Sequence, residues 1–321
     1  MKFPIRLIVM AVVAMVLLSW TNMLQSGDEN DEIVLSKDLG EKLFFDPILS
    51  SDYSVSCSSC HKPELAFADD QKLSAGVGNS LTARNTPTVM YSDSRVILFW
   101  DGRAETLEHQ AFFPITHPDE MNMDEEATIS RLKQSTVYTR AFKKVFNAEP
   151  SVVLVSTALA DYQRTLTYYD SPYDRFSLGD DNAISESAIR GLDLFTGKAL
   201  CDNCHGGFDK SRDEFFNIGL YNGEEYNDRG RFDITKDSLD LGRFRSPILR
   251  NVELTAPYMH DGSMATLEEV LEYYNNPDDF INNSIHRDTL MNKPLGLSQQ
   301  ELDDLKAFML ALTDDSLKSK P

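Results

Sequence analysis

The sequence predicts a mainly α fold in two domains with long loops. Apolar residues recur at helical spacing in several segments, and few runs alternate polar with apolar residues as a half-buried strand would. All four cysteines of the 321 residues fall into two copies of one short pattern, CSSCH (Cys57, Cys60, His61) and CDNCH (Cys201, Cys204, His205), far enough apart for one copy per domain.

The chain opens with Lys2 and Arg6 ahead of an uncharged run, residues 7–20, which is the pattern of an export segment. Residues 1–26 are expected to be a signal peptide or an N-terminal anchor. The run is marginal for a membrane span unless it extends to Leu24, and no Ala-x-Ala cleavage site lies nearby. No lipoprotein cysteine follows, because the first cysteine is Cys57. Export places the protein in the periplasm or on the outward face of the cytoplasmic membrane. With 51 acidic against 31 basic side chains and a net charge of -20, the surface should repel nucleic acid and attract basic proteins.

Residues 32–178 and 179–321 are the expected domains, divided in the polar segment 177–185 that holds Gly179, Asp180, Asp181 and Asn182. Helical spacing marks residues 151–169, 185–195 and 266–274. A last helix starts at Ser298, which makes a capping box with Glu301, and runs through Leu302, Leu305, Phe308, Met309 and Leu312. Loops rich in Gly, Asn, Pro and Asp fill 76–87 and 207–240; low complexity and tandem repeats are absent.

Two cysteines three apart can each form a thioether to one haem edge, and the histidine that follows then lies beneath the iron as proximal ligand. On this reading the halves are two cytochrome c-like haem domains, and the cofactors are two covalently bound haem c groups. The same cysteines could instead form one zinc site from both pairs, two small disulfides or a thioredoxin-type redox pair. An exported chain suits haem attachment.

From about Leu39 to Leu312 the chain resembles the bacterial di-haem cytochrome c peroxidase family, which includes the MauG-like enzymes. The resemblance is carried in order by the first haem motif, RNTPTV (84–89), FWDGRAETLEHQA (99–111), the second haem motif and LRNVELTAPYMHDGSMATLEEV (249–270). It implies that the His61 haem is the peroxidatic centre and that the His205 haem takes in or stores electrons. It also implies that Trp100 lies between the haems and helps electrons pass. Asn85, with the carbonyls of Thr255 and Pro257, matches positions that hold a calcium ion between the domains, and such oxygens suit a hard cation. Read alone, Trp100 is a core tryptophan and Asn85 a turn residue.

Cleavage of hydrogen peroxide on ferric haem needs an open iron position and a group that moves a proton between the two oxygens, which a positioned carboxylate does. Glu120 matches the family's acid-base position, and Gln110 and Pro114 match other residues of the same pocket. On its own, a glutamate in so acidic a chain is a solvated surface residue. His109 and His117 match no family position and read as ordinary polar residues. Typical peroxidases of the family hold a histidine sixteen residues after the first proximal one, which caps the resting iron. Here that position is Val77, and no histidine lies between His61 and His109. The first iron is therefore expected to be open and to react in the fully ferric state.

For the second iron the local candidates are Met259, Met264, Tyr273 and Tyr274. Leu267, Val270, Leu271 and Tyr274 share one helical face, so Tyr274 turns inward whether or not it binds iron. The resemblance places the ligand at Tyr274, a position that is Met in typical peroxidases and Tyr in MauG-like ones. A tyrosinate favours the oxidised iron where a thioether favours the reduced one, so the second haem is expected to be hard to reduce. Arg243, Arg245 and Arg250 are candidates to pair with haem propionates.

The expected activity is reduction of hydrogen peroxide to water with electrons from a small cytochrome c or another donor. One alternative, favoured by Val77 and Tyr274, is a MauG-like oxidase whose partner is an oxidised substrate protein or small molecule. The other is a di-haem electron carrier without peroxidase turnover, which would have both irons six-coordinate. A homodimer is compatible with the sequence.

Overall fold

The computed structural model describes residues 33–318. The expected export segment lies outside the described residues, and none of the described helices is long and apolar enough to cross a membrane. Among the described residues, seven helices of nine residues or more carry the fold: α1 (Ser36–Phe45), α2 (Glu125–Gln134), α3 (Thr136–Phe146), α4 (Val152–Arg164), α5 (Glu186–Thr196), α6 (Leu267–Asn275) and α7 (Gln299–Leu310). Shorter helical turns and long loops join them. A two-stranded antiparallel ribbon pairs β1 (Phe215–Phe216) with β2 (Phe244–Arg245), Phe215 opposite Arg245.

The same crossing of two helices occurs twice. In the first half α1 packs on α4, burying Leu39, Leu43 and Phe44 against Val155, Ala158, Leu159 and Tyr162. The second half packs α5 on α7 and buries Phe195 among Leu302, Leu305 and Phe308. In both pairs a glycine sits at the closest approach: a Cβ on Gly40 would lie 1.8 Å from the Ala158 carbonyl oxygen, and one on Gly191 would lie 2.0 Å from that of Asp304. A haem motif follows each crossing helix, at Cys57 after α1 and at Cys201 after α5.

Gly191→Ala tests this contact because two effects oppose. Alanine favours an isolated helix by up to about 1 kcal/mol over glycine. Forcing α5 from α7 should cost about 1–3 kcal/mol, so the Tm of the haem-loaded protein is expected to fall. A higher Tm would mean that the helices cross more loosely than described.

The helix ends follow the local chemistry. The Ser151 hydroxyl accepts the Leu154 amide at the start of α4, and the Thr266 hydroxyl accepts that of Glu269 at the start of α6. Ser298 and Glu301 form the expected box, with the Ser298 amide donating to Glu301 Oε2 at 2.8 Å. The expected helix 151–169 stops earlier, at Arg164. There the Leu166 amide turns back to the Gln163 carbonyl, and its own carbonyl accepts the Tyr91 amide at 3.0 Å.

The two cores meet around Arg250. Its side chain is buried, donates to Asp174 at 2.9 Å, to Asp209 at 3.2 Å and to the Phe208 carbonyl at 3.1 Å, and lies 4.5 Å from the Phe208 ring centroid. Beside it, Asn251 donates to the Tyr91 hydroxyl of the first core at 3.1 Å and accepts the Asp314 amide at 2.9 Å. Residues 177–182 are exposed, whereas Tyr173 just before them packs edge-on against Phe308 of the second core.

Candidate haem sites and peroxide pocket

The first motif forms a helical turn, Cys57–Cys60, whose start is closed by the Ser56 amide donating to Ser59 Oγ at 3.0 Å. His61 Nδ1 lies 3.0 Å from the Phe67 carbonyl oxygen. A carbonyl only accepts, so Nδ1 carries the proton and Nε2 presents its lone pair, the tautomer a metal ligand needs. The second motif repeats this: Asp202–His205 is a helical turn, and His205 Nδ1 lies 3.2 Å from the Pro247 carbonyl oxygen. Burial lowers the pKa of both imidazoles, that of His205 to about 4, which keeps them neutral. No disulfide joins the four cysteines, and burial raises their thiols to about 12 at Cys57 and Cys201 and about 11 at Cys60 and Cys204.

One cavity of about 800 Å³ runs past both motifs, lined by Cys60 and His61 and by Cys201, Cys204 and His205. A pocket of about 60 Å³ adjoins it between Cys57, His61 and Gln110. Each motif thus presents thiols and a correctly protonated imidazole to a largely apolar space, a donor set that fits covalent haem. A zinc site built from both pairs does not fit, since no group of three or more metal-binding side chains occurs among the described residues.

The remaining candidates line the same cavity. Trp100, Asn85, Glu120, Gln110, Pro114, Tyr274, Thr255 and Pro257 all line the larger cavity. Gln110 stands on a short helix, Leu107–Ala111, capped by the Thr106 hydroxyl. The Pro114 carbonyl accepts the Met121 amide at 3.1 Å, and the His117 carbonyl accepts the Glu120 amide at 3.1 Å, which holds the Glu120 loop against the pocket. Burial raises the Glu120 carboxyl above the usual carboxylate range, partly offset by His117 and Arg103. Val77 lines neither cavity, and its amide donates to the Glu120 carbonyl at 2.8 Å.

Trp100 Nε1 donates to the Asn85 carbonyl at 2.9 Å. Asn85 is itself fixed, its amide donating to the His260 carbonyl at 2.8 Å and its side-chain nitrogen reaching the carbonyls of Gln71 and Lys72. Of the two tyrosines on α6, Tyr273 donates its hydroxyl to the Ile218 carbonyl at 2.6 Å. Tyr274 faces the cavity with no hydrogen-bond partner among the described residues, and burial raises its pKa strongly. Met264 is buried in the adjoining core, and Met259 lies on the cavity wall.

Three cavity residues have no sequence motif to mark them. His117, read above as an ordinary polar residue, lines the cavity with Nδ1 3.9 Å from Glu120 Oε1. Gln163 is buried on α4 and lines both spaces; its position four residues after Leu159, on the apolar face, was the available signal. Arg95 is the third. His109, by contrast, is exposed and packs on Phe113. Two of the three propionate candidates are displaced, because Arg250 and Arg243 are engaged with aspartates and neither lines the cavity; Arg245 does.

The sequence pattern of the di-haem cytochrome c peroxidase family matches residues 36–182. The chain is 41% identical over 289 residues to the methylamine utilization protein MauG of Methylorubrum extorquens, covering 88% of this chain and 78% of that one. It is 37% identical over 238 residues to the cytochrome c551 peroxidase of Nitrosomonas europaea, covering 73% and 71%. The chain belongs to the di-haem cytochrome c peroxidase family. Its fold matches a crystal structure of a MauG-like protein associated with microbial copper homeostasis, with a TM-score of 0.79 and 36% identity over 89% of this chain and 91% of that one.

Proposed function

We propose that the protein is an oxidoreductase that reduces hydrogen peroxide to water, taking electrons from a donor protein such as a small cytochrome c. The observation that carries this reading is that Glu120, its carboxyl raised above the usual carboxylate range by burial, lines the same cavity as His61, Gln110 and Pro114. Haem held at the first motif by Cys57, Cys60 and His61 would supply a redox-active iron. The chain supplies the proton traffic. The Glu120 carboxylate takes a proton from the inner oxygen of peroxide and returns it, as the acid, to the outer oxygen, which leaves as water. The Gln110 amide would orient peroxide against that carboxylate, and His61, fixed by its bond to the Phe67 carbonyl, would hold the iron. Two electrons and two further protons complete the reduction to two waters.

The test is to mix haem-loaded, fully oxidised protein with stoichiometric peroxide. The absence of a histidine at Val77 predicts that the high-spin ferric signal disappears without prior reduction. Two low-spin haems that leave peroxide unconsumed would instead make the protein an electron carrier.

Tyr274 supports a second reading, a MauG-like oxidase acting on a protein or small molecule, because it lines the cavity with the second motif and a tyrosinate ligand there would favour the oxidised iron. Tyr274→Met is expected to raise the reduction potential of the haem at Cys201 and Cys204 and leave the other unchanged, as read by spectroelectrochemical titration. Trp100, which lines the cavity that both motifs share, is the residue through which electrons would pass in either reading. Asn85 and the carbonyls of Thr255 and Pro257 would hold calcium between the halves, supported by an Asn85 side chain whose nitrogen is already spent on Gln71 and Lys72. An exported location follows from the charge pattern of residues 1–20, either free in the periplasm or held by that segment.

A further inference from the structure

Beside the second motif the cavity wall carries two arginines and too few acceptors. Arg95 and Arg245 both line the cavity with His205. They share one carboxylate: Asp213 Oδ1 is 2.9 Å from Arg245 Nη1 and 3.5 Å from Arg95 Nη1. Arg245 completes its bonding at the Phe99 carbonyl, 3.1 Å away. Arg95, its side chain 5% exposed, keeps Nη2 buried with no acceptor. Asp209, the next carboxylate bearing on Arg95, is hydrogen-bonded to Arg250. The cluster is tied to the second motif by backbone. Arg212, next to Asp213, donates its amide to the Cys204 carbonyl at 3.1 Å, and Arg245 lies two residues before Pro247, whose carbonyl holds His205.

A buried guanidinium with an idle donor is costly, and two buried cations around one anion add repulsion. An anion with two oxygens at this wall would relieve both, and the guanidinium fork matches a carboxylate. Haem attached at Cys201 and Cys204 brings such groups into this space.

We propose that Arg95 and Arg245 bind a propionate carboxylate of the haem at the second motif, with Arg95 Nη2 as donor, and that this pairing raises the reduction potential of that haem. The inference rests on haem attachment at Cys201 and Cys204 and not on the peroxide reading. A cation held near the iron favours the less positive, reduced state, so Arg95 opposes the pull of Tyr274.

The experiment is a spectroelectrochemical titration of the haem-loaded full chain carrying Arg95→Gln, without peroxide. The reduction equilibrium of the second haem should shift about tenfold towards the oxidised form, about 59 mV for one electron, while the haem at His61 does not move. The carboxylate, left with Arg245 alone, should also make that potential more pH-dependent and move the propionate bending band in the resonance Raman spectrum. Arg95→Lys keeps the charge and loses the fork, so the band should move there with a smaller change in potential. It carries the test if Arg95→Gln fails to attach both haems. An unmoved potential and band in a variant with both haems attached, or equal shifts at both haems, would overturn the proposal.

Discussion

Glu120→Gln will slow the reaction with peroxide by about 10²–10⁴-fold, the usual contribution of a positioned acid-base group, while both haems stay attached. Glutamine keeps the shape of the side chain and so the packing of the loop that the His117 and Pro114 carbonyls hold. What it loses is the ability to accept a proton. The pH profile separates this from a packing effect. Burial holds the Glu120 carboxyl above the usual carboxylate range, and the ionised form is the base that starts the reaction. The wild-type rate should therefore climb as pH rises through that raised pKa, and this limb should vanish in the variant. A variant as fast as wild type, with the limb intact, would take Glu120 out of the mechanism.

The largest loss of stability is expected from Arg250→Ala, about 3–5 kcal/mol. Most of this is the penalty of stranding Asp174 and Asp209, 7% and 13% exposed, without the guanidinium that bonds both. The lost stacking on Phe208 and Tyr169 adds to it. Chemical unfolding of the haem-loaded protein measures the loss. A variant in which Arg250, Asp174 and Asp209 become Met, Asn and Asn removes all three charges together and should recover part of it. If the single and triple changes cost the same, the charges are not what holds the two cores together here.

The mainly helical fold was legible because α4 and α7 show their buried face and their caps in the letters of the chain, from Ser151 to Tyr162 and from Ser298 to Met309. α1 was not, since Gly40 weakens helix propensity in its middle and only the tertiary contact with Ala158 explains it. The repeated crossing left a trace that sequence reading passed over: Gly-x-x-Leu-Phe stands ahead of each haem motif, at Gly40 to Phe44 and at Gly191 to Phe195. Five residues are too few to stand out as a repeat, and the spacing to the cysteines differs. The haem motifs announced themselves because porphyrin dictates their spacing. Arg95, Gln163 and His117 did not, because what marks them is a place on a shared cavity, which is lined by chain segments distant in sequence.

Asn85 holds Trp100 through its carbonyl, His260 through its amide and the segment at Gln71 and Lys72 through its side chain. An indole clamped in this way has little room to rotate when the charge beside it changes. Electron transfer is slowed by whatever must rearrange during the jump, and preorganised dipoles keep that rearrangement small. On the proposed route through Trp100, the clamp would lower the reorganisation energy of each transfer, and a loosened Asn85 would make the same distance slower to cross.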